Sequence, residues 1–546
     1  MVKYKRSYNV FFNVHTVSGI TITIGLFVIF LAGAFALFTG EINNWQYNER
    51  KHPFRTVLDY DRIIERVKQE GYTTKGRSFF IGYREIGDYI KVTAKALEDP
   101  KEDRPTAEKT LATGNREAVA MQLSPEDYTL IEKTSEKSDL LGHYIFQLHF
   151  FDQIPGAGLY LSGFVALFFG LSIISGIIVH WNKIVSNFFT FRIKSSIKNL
   201  WTDAHTALGV LGLPFQFMYA ITGAYLGVAT LLYVPILFIQ YGGDIQNFRD
   251  AVNPSLKMED FPAPTQQRDT VSINTLIYPD LEPLNPDQIS SIGVFIADYQ
   301  EKPGKLTLNI SYTGETQFMA EAKKIIRLED GLVLQDKSRD DNSYTYATGA
   351  TIGKLHFALF GGFFMKITYF VLSIITCYTI LSGVMIWLVA REKKAYANKA
   401  KFNRNVGAIF IGACMGLFPA IALFFCLAKV FPDRFGMMSN VFLLFWLAYT
   451  IYSYFIKSPF KINKYALLLA GVFGLLIPIV NGFQSGLWFW QSLGLGYPDS
   501  FFVDVGWLLL GGLSVFSAVV AKRLDSKKSK KRLEEIAHLK PVKERS

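Results

Sequence analysis

Five histidines stand at or near the ends of apolar runs: His15, His149, His180, His205 and His356. Histidine is costly in hydrocarbon unless it is paired or liganded, and a neutral imidazole nitrogen is a good axial ligand for haem iron. Two of the five open matched stretches, "HTVSGITITIGLFVIFLAG" from His15 to Gly33 and "HTALGVLGLPFQFMYAITG" from His205 to Gly223. Each begins His-Thr, has a glycine four residues on (Gly19, Gly209) and another eighteen on. His149 and His356 belong to a second matched pair, "LHFFDQIPGAG" and "LHFALFGG". Leu148 to Ser175 and Leu355 to Ser382 both span 27 residues, and both serines begin Ser-Gly, in "SGIIVHW" and "SGVMIWL". Two histidines at one depth on facing helices can bind one haem iron from both faces. Gly19, Gly209, Gly361 and Gly362 would let a flat macrocycle approach the backbone. A lone histidine at a membrane interface is better read as a polar anchor, but four at repeat-related positions fit that reading poorly. His180, whose repeat counterpart is Trp387, is left as a ligand, a haem propionate partner or an interface anchor. His143 is read as an outer-surface residue, and His52 and His538 as solvated ones.

These side chains need membrane helices to hold them. Half of the 546 residues are hydrophobic, too many for an ordinary soluble protein of this length. A span needs about 20 apolar residues, and eight candidates lie near 14–38, 156–180, 206–240, 357–390, 406–430, 438–456, 465–484 and 502–521. Pro214 and Pro235 interrupt the third, which predicts a bend or an interfacial piece. The first resembles a signal peptide, with Lys3, Lys5 and Arg6 before it and Ala34-Phe35-Ala36 resembling a cleavage site, but its length and its match to the third argue that it stays. The net charge of +11 does not point to nucleic acid, because lysine and arginine concentrate in short segments beside the spans. Every second gap is basic, which predicts that these gaps and both termini are cytoplasmic and that the two long polar insertions lie outside. Trp45, Trp181, Trp201, Trp387, Trp488 and Trp490 are read as interfacial belt residues, and Asp203 as a helix cap or a group supporting the site at His205. The three cysteines form neither CxxC nor CxxCH, so thiolate zinc and covalent haem are excluded.

The expected fold is a polytopic α-helical membrane protein of about eight transmembrane helices, with a duplicated four-helix core and two external α+β domains. Its parts are a first transmembrane helix (1–40), an external domain (41–145), the second and third spans (146–243), a second external domain (244–350), the fourth span (351–392), four additional spans (405–522) and a basic cytoplasmic tail (523–546). The insertions carry alternating segments such as "KLTLNISYTG", and "AKKIIRLEDGLVLQ" contains a Glu-Asp-Gly turn signal.

Across about residues 8–392 the sequence resembles the PepSY-associated transmembrane family, which includes iron-regulated inner-membrane proteins and siderophore-iron reductases. The resemblance rests on His15 with Gly33, "LHFF" with His149, "DAHTALGV" with His205, "GKLHFALFGG" with His356, and the paired insertions. It implies PepSY-like external domains and two non-covalent b-type haems held between histidines of four helices. Taken with the predicted depths, the pairs are His15 with His205 for an inner haem and His149 with His356 for an outer one. The expected activity is electron transfer from a cytoplasmic or quinol donor to a periplasmic ferric chelate, such as a ferric siderophore. Membrane lipid is the other expected partner. The alternatives are a non-enzymatic sensor or assembly factor with PepSY-like binding domains, and a transporter, suggested by Pro419, Pro478, Asn481 and Gln484 in the last spans.

Overall fold

Long apolar runs dominate the computed structural model as helices. It describes residues 2–48, 55–84, 89–96, 117–131, 140–189, 192, 197–252, 272–285, 289–297, 299–300, 304–312, 321–328, 330–337, 344–391 and 398–538. His52 lies outside them. The chain divides into two compact units, one made of Met1–Glu49, Lys137–Thr230 and Phe363–Ser546, the other of Arg50–Glu136 and Leu231–Gly362.

The first is the membrane unit. It holds α1 (Val2–Ala36), α2 (Thr39–Tyr47), α4 (Leu141–His149), α5 (Gly158–His180), α6 (Ile197–Leu211), most of α7 (Leu213–Tyr241), α10 (Gly362–Arg391), α11 (Ala400–Val430), α12 (Phe435–Ile456), α13 (Pro459–Ser485) and α14 (Pro498–His538). Among the described residues seven helices are long and apolar enough to cross a membrane; α6 with the first part of α7, bent by 69° at the break, is either an eighth, broken span or a re-entrant loop. The protein is therefore a multi-pass membrane protein. The break is at the expected place. Pro214 is the second residue of α7, so it has no amide hydrogen to continue the ladder from α6 and its ring clashes with the preceding turn. Pro235 stays inside α7. Helix ends follow local chemistry: Ser458 caps α13 by accepting from the Lys461 amide, Pro459 follows it, and Gly486 ends the helix at φ +70°. α14 continues through the basic tail to His538.

The second unit corrects the expectation of two separate insertion domains. It contains α3 (Tyr60–Gln69), α8 (Ile273–Leu281), α9 (Tyr344–His356) and one antiparallel sheet ordered β3-β2-β1-β4-β5-β6-β7. The strands are β1 Phe79–Arg84, β2 Ile90–Ala94, β3 Val119–Leu123, β4 Ile289–Ala297, β5 Lys305–Tyr312, β6 Glu321–Arg327 and β7 Val333–Lys337. The first insertion supplies three strands and the second four. They join where β1 pairs with β4, from Phe79 opposite Ile296 to Arg84 opposite Ser291. Pairing covers the edges of β1 and β4 that separate halves would leave open. The helices also cap each other. Asp61 of α3 accepts from the Ile273 amide at 2.9 Å, and the Tyr60 amide donates to Asn274 at 2.8 Å. One core results, with Tyr60, Ile63, Phe79, Ile81, Ile277, Val294 and Leu306 all buried. Asp330 and Gly331, the latter at φ +72°, turn β6 into β7 as the turn signal predicted.

The boundaries shift as well. Residues 41–49 and 137–145, read as parts of the first insertion domain, belong to the membrane unit, because α2 is buried there through Glu41, Ile42, Asn44, Trp45 and Gln46. The second insertion is expanded to begin at Leu231 and end at Gly362.

Candidate functional site

The histidine-bearing helices of the membrane unit are seated by their neighbours in a repeated way. His15 of α1 points its Nδ1 at the carbonyl of Ser172 on α5, 2.8 Å away. His205 of α6 does the same to the carbonyl of Thr379 on α10, at 2.9 Å, with Ser382 Oγ at 3.0 Å. Ser172 and Thr379 each precede a Ser-Gly pair by three residues. The two glycines of those pairs lie against the imidazoles. A Cβ on Gly176 would meet His15 Nδ1 at 3.1 Å, and one on Gly383 would meet His205 Cε1 at 3.3 Å. The Ser-Gly motif was visible in the sequence as a repeat, but its job as the seat of the histidine on the preceding helix was not.

The chemistry of these contacts fixes the tautomer. A carbonyl only accepts, so each Nδ1 carries a proton, and in the neutral ring Nε2 is the nitrogen with the lone pair. Metal-bound histidines characteristically donate their other ring N–H to a carbonyl or carboxylate. The ring centroids of His15 and His205 are 6.1 Å apart with planes at 70°. Two metal–imidazole bonds of about 2 Å, with about 1.1 Å from each nitrogen to its ring centre, span about 6 Å. The centroid separation thus matches that of two imidazoles on a single iron. One turn beyond each histidine the backbone is uncrowded: a Cβ on Gly19 would meet no described atom within 4 Å, and one on Gly209 would meet Thr379 Cγ2 at 3.9 Å.

His149, the last residue of α4, is anchored alike. Its Nδ1–H donates to the Ile29 carbonyl of α1 at 2.7 Å, and Gly33, one turn further on, leaves the room: a Cβ there would stand 2.6 Å from Nδ1. The chain then bends through Phe151 at φ +60° before α5 starts. His356 is described within the other unit. It ends α9, is buried, and meets Phe357 edge-on at 5.2 Å. Beyond it Ala358, Gly361 and Gly362 have positive φ, so α9 and α10 are not one helix. The structure therefore brings His15 and His205 together, seats His149 in the same unit, and leaves His356 in the second.

His180 ends α5, half-buried and within electrostatic range of His15 and His205. Among the described residues no group of three or more His, Cys, Asp or Glu side chains is placed to hold a bare metal ion. His143 is half-buried on α4 and packs near Phe146. Asp203 is neither a cap nor a partner of His205: it accepts from the Arg192 amide at 3.0 Å and from its Nε and Nη2 at 2.9 and 2.7 Å. Trp45 is a second correction. It is fully buried and donates to Asp504, whereas Trp181 and Trp490 are exposed as belt residues should be.

Residues 12–390 match the sequence model of the PepSY-associated TM region, and no curated protein matches the chain.

Proposed function

Because the chain belongs to the PepSY-associated TM region family, we propose that it is a di-haem b protein of the bacterial inner membrane that passes electrons outward to a ferric chelate, with a ferric siderophore as the substrate class. The observation that carries this reading is the His15–His205 pair, spaced for one iron and with both Nδ1 atoms donating to carbonyls. A haem held there supplies reversible one-electron chemistry. His15 and His205 would hold it. Ser172 and Thr379 hold their tautomers, and Gly176 and Gly383 let the imidazoles sit close to α5 and α10. His180 lies beside this level as a propionate partner.

For the second level His149 is one ligand and His356 its partner. This pairing rests on correspondence. His356 follows His149 by 207 residues, as Ser382 follows Ser175 and Ala358 follows Phe151. Each histidine ends a short helix, and a left-handed residue follows two positions on. The same offsets support a duplicated four-helix core, and the helix-plus-strand composition of both insertions supports a PepSY-like origin for the single sheet domain they form together. The basic segments put His15 and His205 near the cytoplasmic face, where a cytoplasmic protein or a membrane quinol is the donor. The ferric chelate is reduced on the other side. Each electron converts one iron(III) to iron(II), which hard oxygen donors hold more weakly.

The test is a liposome carrying the protein, with a reductant confined to the side of the basic loops and a ferric chelate with a ferrous trap on the other. Iron(II) should form, and the rate should fall in His15→Ala and in His149→Ala. Rates equal to those of protein-free liposomes overturn the proposal.

A further inference from the structure

The family match stops at residue 390, and the four helices beyond it have no part in the reading above. Beyond packing on one another, these helices meet the family-matched region mainly at α1, α2 and α4. Three lines of contact lead there.

The first is polar and buried. Trp45 Nε1 of α2 donates to Asp504 Oδ1 of α14 at 2.8 Å, and Asn44 Nδ2 donates to Asp499 Oδ2 at 2.8 Å. Lys429 of α11 donates to the carbonyls of Trp45 and Gln46, and to Asn48 Oδ1 at 3.1 Å. Asn481 of α13 closes the set by donating to Asp504 Oδ2 at 2.8 Å. α2 then fastens the start of α4: Gln46 Oε1 accepts from the Leu141 amide at 2.7 Å, and Asn43 Oδ1 from the Gly142 amide at 2.9 Å. The second line is aromatic. Tyr144 of α4 is surrounded by Phe424, Phe435 and Phe442 at centroid distances of 5.3, 5.7 and 6.0 Å. The third reaches α1, where Phe35 stacks on Trp507 at 5.4 Å. Phe35 is two residues from Gly33, and α4 ends on His149.

Both walls of the His149 cradle are therefore gripped by the C-terminal helices. Charged groups are expensive in a membrane, and those that are kept are paired and mark a functional position. Elsewhere α11 meets α10 through apolar side chains, Ala408 and Ile411 against Val384 and Leu388. We infer that α11 to α14 form a positioning module for His149: they fix the helix that ends on it and the turn of α1 that receives its Nδ1–H, and so set the ligand geometry at that level. The haem part of this inference rests on the function proposed above; the mechanical part does not.

The test uses the full-length protein in detergent, with Asp504→Ala and Tyr144→Leu as perturbations and Tyr144→Phe as the conservative control. Hydrogen exchange of amides 141–149 should quicken at least tenfold in the first two, with amides 197–211 unchanged and the control like wild type. In haem-loaded protein the low-spin electron paramagnetic resonance signal lost in His149→Ala should shift in the same two variants, while the signal lost in His205→Ala stays. Unchanged exchange at 141–149 in both variants overturns the inference, as does equal quickening at 197–211, which would mean general loosening. Colourless wild-type protein would overturn the haem reading alone, and the exchange result would still decide the positioning role.

Discussion

Gly33→Ala is the sharpest perturbation of the second level. The new methyl would stand 2.6 Å from His149 Nδ1, and ordinary contact begins at 3.4 Å, so the imidazole must retreat by about 0.8 Å. Ile29 and Gly33 are one turn apart on the same face of α1, so that retreat also lengthens the Nδ1–H···O bond to Ile29. It would go from 2.7 Å to about 3.5 Å, outside the range of a real hydrogen bond. Loss of such a supporting bond costs about 10- to 100-fold in metal affinity. Purified Gly33→Ala protein, titrated with haem after extraction, should therefore load one level as wild type does and the other about 10- to 100-fold more weakly. Gly176→Ala is the internal comparison. Its methyl needs only a few tenths of an ångström from His15, from 3.1 Å, and should weaken the other level by less than Gly33→Ala weakens its own. Wild-type loading of both levels in Gly33→Ala would show that His149 is not a ligand held against α1.

The other predictions are smaller. His180→Ala should keep both haems, because His15 and His205 already complete one iron's axial pair; loss of a haem would make His180 a ligand and displace one of them. Asp61→Ala removes the acceptor that the α8 amides use, at 2.9 and 3.3 Å. It should cost about 1 kcal/mol, typical of a lost cap, seen as about fivefold faster hydrogen exchange at residues 273–277. Unchanged exchange there would mean that the Ser272 hydroxyl alone caps α8.

Much of the membrane fold was legible because spans are written in hydropathy, and the bend of the third because Pro214 cannot continue a helix. The histidines stood out because imidazole is rare and costly in hydrocarbon. Their seats did not: Ser172 and Thr379 act through backbone carbonyls, which every residue has, and Gly176 and Gly383 act by lacking a side chain. The repeated Ser-Gly was the available signal. The joining of the two insertions at β1 and β4 was not legible, since strand pairing across some 200 residues leaves no local pattern. Trp45 was misread for a related reason. A tryptophan beside a span reads as a belt residue until Asp504, Asn481 and Lys429 arrive from the far end of the chain to bury it.

The central claim is that histidines of this chain hold haem, and its most direct measurement is haem content by pyridine haemochrome, taken on pure wild-type protein and on the His15→Ala, His205→Ala double variant. The account predicts about two b haems per chain, released by acid acetone, and about one in the variant. Colourless wild-type protein, or a variant that keeps the full wild-type content, would contradict it.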